Sequence, residues 1–462
     1  MMTIPQDGDY RPDPAILKIT DFIADPVEAA DFPETKLRFR NDRWAASVGL
    51  ASLSDEEWCQ HFGRFAPLPG NLPQPLAMRY HGHQFRVYNP DIGDGRGFLF
   101  AQMRDSSGRL MDLGTKGTGQ TPWSRSGDGR LTLKGAVREI LATEMLEALG
   151  VETSKTFSVI ETGESLHRGD EPSPTRSAVL VRLNHSHMRI GNFQRLATLG
   201  DTANLKRLIA YALEHYFGEE DGDDAPLRLL HHTVARTAKM AASFMAAGFV
   251  HGVLNSDNIN ITGESFDYGP WRFAPTFDAN FTAAYFDHAS LYAFGRQAEA
   301  IHWDVAQLAI SLSAVASEND LVAALSGFGD AYRTALVEAM LWRIGVKPRS
   351  ATEDVALVQI MERVLVESQC SIDAFFFDWR GGTCRCINSY QQDHRAALDS
   401  ALVNYEPVQS LSSPYWQQSQ PCSMLIEEVE DIWSAIANAD DWTPLQTKTS
   451  EIRAMGAALL GN

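Results

Sequence analysis

The sequence predicts an α+β protein in two lobes, a small β-rich lobe followed by a larger, mostly helical one. Three observations predict it. Between residues 83 and 183, short apolar strands alternate with Gly/Asp turns around a single segment of helical period. After about residue 200 the helical period dominates. Where the long pattern LRLLHHTVARTAKMAASFMAAGF (227–249) ends, HGVLNSDNINITGESFDYG (251–269) sets Asp, Asn and Gly in an order that core packing does not need.

The elements follow in order. Residues 1–40 are rich in Pro and acidic residues and are expected to wrap the surface; 41–85 carry helix and loop signals. HQFRVY (83–88), GFLFAQMRD (97–105) and RLMDLGTK (109–116) have strand composition, separated by the turns NPDIGDGRG (89–97) and DSSG (105–108). In 131–149, Val137, Ile140, Leu141, Met145 and Leu149 recur at helical spacing, and Gly150 suits the cap. SKTFSVIET (154–162) and SAVLVRL (177–183) return to strand. DTANLKRLIAYALEHYF (201–217) begins with an Asp N-cap, and GEEDGDDAP (218–226) reads as a solvated loop. The division expected is 1–82 as an extension packing on the lobes, 83–195 as the small lobe, and 196–462 as the helical lobe with a divergent C-terminal region.

Composition sets outer limits. At 462 residues, 44% hydrophobic and 21% charged, the chain can bury sizeable cores. Its net charge of −19 argues against nucleic acid and against anionic membrane surfaces. No apolar run reaches the about 18–20 residues of a membrane span, and MMTIPQDGDYRPDP has the character of neither a secretory signal nor a transit peptide. The cytoplasm is the expected compartment; the oligomeric state is not legible. Five cysteines make no disulfide framework, and Cys384-Arg385-Cys386 falls short of a zinc site.

The 251–269 stretch resembles the catalytic segment of a protein kinase, H-R-D-x-x-x-x-N followed by D-F-G, and with the β-β-β-α-β-β order it points to a bilobed protein-kinase-like fold. His251 opens the motif, Asn258 takes the Asn position and Asp267-Tyr268-Gly269 stands for D-F-G. Val253 occupies the position of the usual base, while Asp257 precedes the Asn. The chain is therefore either an inactive kinase or one that uses nucleotide differently. Asp257, Asn258 and Asp267 carry the hard oxygens that Mg²⁺ prefers. Upstream, Gly93-Asp94-Gly95-Arg96-Gly97 can bring backbone N–H groups to phosphate, Lys116 ends a strand, and Glu139 on the next helix can pair with it. GTGQTPWSRSGDGR (117–130) and the pair Arg182 and Arg189 add further glycines and guanidinium groups. His288, His302 and Asp304 are read as structural.

GHQFxVxxxxxGDGRG, LxxKGxGxTPxSRxGDGR, A-V-R-E-I, VRxxxxxxRIGxF and HGVLNSDN…DYGP together resemble the selenoprotein O family, over roughly residues 41–300. The resemblance implies a pseudokinase-fold protein adenylyltransferase that moves AMP from ATP to Ser, Thr or Tyr hydroxyls of protein substrates, with ATP inverted relative to kinases. It assigns ATP contacts to Gly93, Gly95, Arg96, Lys116, Asp128, Gly129, Arg182, Arg189 and Asp267. It pairs Glu139 with Lys116, gives Mg²⁺ (with Mn²⁺ left open) to Asn258 and Asp267, and makes Asp257 the proton acceptor. The family's C-terminal Cys-x-x-Cys or Cys-x-x-Sec pair has no counterpart in RAMGAALLGN, so redox control through it is not expected. A γ-phosphoryl transferase and a non-catalytic nucleotide-binding scaffold remain the alternatives.

Overall fold

The structure, a computed structural model, describes residues 6–169, 171–386 and 389–461. A sheet lobe packs on a helical lobe. The main antiparallel sheet runs Ala24–Pro26, Leu76–Met78, Leu99–Arg104, Leu110–Lys116, Thr175–Asn184, Lys155–Leu166, Lys36–Arg40 in spatial order. Arg11–Pro12 joins Leu99–Arg104, and Leu131–Thr132 joins Thr175–Asn184. The first 40 residues thus supply strands as well as wrapping, and bury Ile16 and Ile23 completely.

One strand differs from the sequence expectation. HQFRVY is a tight hairpin outside the main sheet, Gly82–Gln84 against Val87–Asn89, because Phe85 and Arg86 turn the chain at φ +51° and +63°. The strand that precedes the Gly-rich loop in the sheet is instead Leu76–Met78, whose Leu76 pairs with Leu99. The hairpin seats on the 251–258 loop: the Phe85 and His83 amides donate to Asn255 Oδ1 (3.0 Å) and Ser256 Oγ (2.8 Å).

Helix Leu133–Ala148 crosses the sheet. Thr132 caps it by accepting from the Gly135 amide, and Val137, Ile140, Leu141 and Met145 are fully buried. Its other side is held by the helices Ile426–Ala439 and Thr443–Leu460, through Lys134–Glu430 (2.7 Å) and Glu144–Arg453 (2.7 Å). The helical lobe is built on Ala225–Ala247, which ends at Gly248 (φ +71°) and leads into the 251–269 segment. Asp201 caps Thr202–Ala212 as its sequence predicts. Among the described residues no helix is long and apolar enough to cross a membrane.

Candidate active site

A cleft of about 680 Å³ opens between the lobes, and the polar loops converge on it. Its wall includes Gly93, Gly95, Arg96, Lys116, Asp128, Gly129, Arg182, Arg189, Asp257 and Asp267, residues that come from five separate chain segments. Glu139 and Asn258 stand behind this wall.

The Gly-rich loop is braced by the loop 117–130. A Cβ on Gly93 would meet the Trp123 ring at 2.5 Å, and one on Gly95 would meet the Trp123 carbonyl at 2.8 Å, so only glycine fits at either position. Thr121 Oγ1 donates to the Asp94 carbonyl (2.6 Å), and Ser124 Oγ donates to the Gly95 carbonyl. Trp123 Nε1 reaches Asp25 at 3.0 Å. Asp128 accepts from the Arg130 amide (2.9 Å) and pairs with Arg168 (2.8 Å).

Lys116, 5% exposed, lies between two carboxylates: Nζ is 2.5 Å from Glu139 Oε1 and 2.6 Å from Asp267 Oδ1. Arg182 sits across from Gly114, whose missing side chain leaves room for the guanidinium and the His187 ring. Its Nη1 is 3.8 Å from Asp267 Oδ1, and both Nε and Nη1 lack a hydrogen-bond partner. Arg189 donates to the Asp257 carbonyl (2.9 Å) and to Asp94 Oδ1 (3.3 Å), and lies over the Tyr80 and Phe266 rings. Burial alone would raise the Asp267 carboxyl pKa, but Lys116, Arg182, Arg96 and Arg189 together hold it well below the usual range. This end of the cleft therefore gathers the buried cations Lys116, Arg182 and Arg189 among the carboxylates Glu139, Asp267 and Asp94, and Arg182 keeps unpaired donors that suit an anion.

Asp257 is different. Burial pushes its pKa up to about 6 against the pull of Arg189, and its Oδ1 has no hydrogen-bond partner. Val253 contributes its carbonyl, which accepts from Asn258 Nδ2 at 3.1 Å; Asn258 Oδ1 has no protein partner among the described residues. His251 fastens the segment's two ends, its Nε2 within 2.9 Å of the Phe266 carbonyl. Asp267 itself adopts φ +63°, a conformation Asp tolerates better than most residues.

Two buried carboxylates near these groups carry no site role in the sequence analysis. Asp94, fully buried, holds Arg189 and lies 3.5 Å from His187. It sits between two glycines of the Gly-rich loop, which was the available signal. Asp304, read as structural, is 1% exposed with Oδ2 unpaired; burial raises its pKa strongly and Asp257 adds to this. A helical Asp amid apolar neighbours carries no local mark of that proximity.

A model of the family described as protein adenylyltransferase SelO matches residues 9–453. The chain belongs to that family. It is accordingly an enzyme of the nucleotidyltransferase class. The chain is 42% identical to protein nucleotidyltransferase YdiU of Synechococcus elongatus, over 94% of this chain and 93% of that one. It is 40% identical to protein nucleotidyltransferase YdiU of Synechocystis sp., over 96% and 97%. Among solved structures, a Toxoplasma gondii rhoptry antigen kinase domain matches with TM-score 0.30 and 10% identity, over 63% of this chain and 83% of that one. The family match continues well past residue 300, through the C-terminal region that looked divergent.

Proposed function

We propose that this chain transfers AMP from ATP to Ser, Thr or Tyr hydroxyls of protein substrates, with Mg²⁺ required. The observation that carries the reading is the division of the cleft. Lys116 and Arg182 lie 2.6 and 3.8 Å from Asp267, while Asp257, whose backbone carbonyl accepts from Arg189, keeps an unpaired carboxylate oxygen. Buried cations are suited to the γ- and β-phosphates, which leaves the α-phosphate nearer Asp257. The acceptor oxygen forms its bond to the α-phosphorus, the bond from that phosphorus to the bridging oxygen breaks, and pyrophosphate leaves with the electron pair. Asp257 orients the hydroxyl and takes its proton, a role that a carboxylate poised near neutrality can fill. Lys116, kept in place by Glu139, and the two arginines offset charge on the departing pyrophosphate.

The donors fit a magnesium ion. Asp267 and Asn258 offer hard oxygens, the ligand type that Mg²⁺ prefers, and Mg²⁺ takes few protein ligands alongside phosphate and water. When bound it would neutralise phosphate charge.

ATP labelled at the α or the γ position discriminates the readings. Incubated with a lysate or with the enzyme itself, label reaching protein only from the α position supports AMP transfer. Label only from the γ position refutes it in favour of a kinase, and no label from either supports a scaffold. Asp257→Asn should lose transfer while keeping ATP affinity.

A further inference from the structure

A second cavity of about 680 Å³ lies away from the nucleotide cleft, where the 104–111 turn, the residues after helix Leu133–Ala148, and helices Ala225–Ala247 and Phe328–Ile344 meet. Most charges around it are already matched. Lys239 pairs with Glu152 (2.7 Å), Arg109 with Asp105 (2.8 Å), Arg104 with Asp13 (2.7 Å) and Glu147 with Arg43 (2.6 Å).

Two buried groups that line it, Lys155 and Glu264, feel each other's charge but form no direct ion pair. Lys155 is 9% exposed; its Nζ donates to the Thr153 carbonyl and lies 5.0 Å over the Trp44 ring. Glu264 is 8% exposed and accepts from the His185 amide at 2.6 Å through one oxygen only. Neither has an ion-pair partner within 4.0 Å among the described residues. A buried charge without a direct partner is disfavoured until one arrives. A cation and an anion that face one cavity without touching are complementary to a ligand that carries both signs. Arg236, partly exposed on the same wall, has no carboxylate within 4.0 Å among the described residues and adds to the positive side; its guanidinium rests 5.3 Å from the Phe217 ring. Trp44, Val151 and Trp342 supply an apolar wall.

We propose that this cavity binds a small zwitterion with an apolar side chain, of the α-amino acid type, its carboxylate on Lys155 and Arg236 and its ammonium on Glu264. Such a ligand satisfies both buried charges at once and covers the tryptophan faces. The site is independent of adenylyl transfer, and its test reads binding alone.

The probes are L-leucine and L-phenylalanine, titrated calorimetrically into the full chain with the nucleotide cleft filled by a non-hydrolysable ATP analogue and magnesium. Saturable binding is expected, weaker by about tenfold or more when the ammonium is N-acetylated or the carboxylate is esterified. Glu264→Gln should bring the free amino acid down to the affinity of its N-acetyl derivative and leave that derivative unchanged. Lys155→Met should do the same for the ester. Absence of saturable binding to the wild-type chain, or capped derivatives that bind as tightly as their parents, overturns the proposal without any variant being needed.

Discussion

Arg182 offers a sharp test of how the cleft holds a polyanion. In the ligand-free protein its guanidinium is 4% exposed, with two N–H-bearing nitrogens unpartnered and Asp267 at 3.8 Å. Arg182→Met keeps an apolar stem of comparable reach and removes the charge. Two orphan donors cost about 1–3 kcal/mol each. The Asp267 contact returns about 4 kcal/mol at an effective dielectric of about 20. These terms oppose one another, so the variant's stability without ligand should stay within about 2 kcal/mol of wild type, in either direction. Nucleotide binding should behave otherwise. Losing two charge-assisted hydrogen bonds of about 1.5–3 kcal/mol each weakens ATP by about 10²- to 10⁴-fold. Because the proposed contact is with the terminal phosphates, AMP affinity should change by less than about threefold. Urea denaturation and calorimetric titration with ATP, ADP and AMP measure all three quantities. A variant that binds ATP within threefold of wild type, or loses AMP as severely as ATP, would refute the assignment of Arg182 to the γ-phosphate end.

Glu139→Gln keeps an acceptor near Lys116 but removes one of its two carboxylates, so Lys116 should shift onto Asp267. Transfer should fall by at least about tenfold with the fold intact by circular dichroism; unchanged turnover would contradict the role of the pair. Arg453→Ala leaves Glu144, a buried carboxylate, with only a long bond from Asn41 Nδ2 (3.5 Å) and the more distant Arg43 (3.9 Å) among the described residues. Chemical denaturation should show a loss of about 1–3 kcal/mol, and an unchanged midpoint would mean that the C-terminal helices do not brace the Glu139 helix. Asp112 gives a pH prediction. Burial raises its pKa from 3.8 to about 7, partly opposed by the Gln102 amide at 2.8 Å. The folded protein therefore holds a proton that the unfolded chain releases between those values, and this group's contribution to stability falls as pH rises across that window. Asp112→Asn keeps the Gln102 bond and removes the penalty. It should be more stable than wild type by a few kcal/mol at most above pH of about 7, with the difference vanishing near about 4. A difference that does not vary with pH would show that Asp112 does not titrate as its burial implies.

Much of the candidate site is legible because its spacing is local. Lys116 at a strand end, Glu139 at helical period on the next element, and the Asn258–Asp267 segment after a long helix each declare themselves within a short window, and all stand at the cleft or against its wall. The hairpin at 82–89 was misread as one strand because FR has ordinary strand composition. The hairpin turning at Phe85 and Arg86 is seated on Asn255 and Ser256 through the Phe85 and His83 amides, a contact across some 170 residues that no window contains. The long loop 117–130 carried a visible Gly-rich signal, but its task as a brace for Gly93 and Gly95 depends on where Trp123 lands.

Element type, lobe order and the kinase-like register of the 251–269 segment follow from periodicity, turn residues and short motifs, which act over a few residues and survive in one dimension. Which charges are paired does not. Asp94 meets Arg189, Asp304 comes within electrostatic range of Asp257, and Lys155 and Glu264 face a cavity without meeting. Each depends on strands and helices distant in the chain being brought together, because Coulomb energy and desolvation depend on separation and burial in space, and neither quantity exists until the lobes have packed.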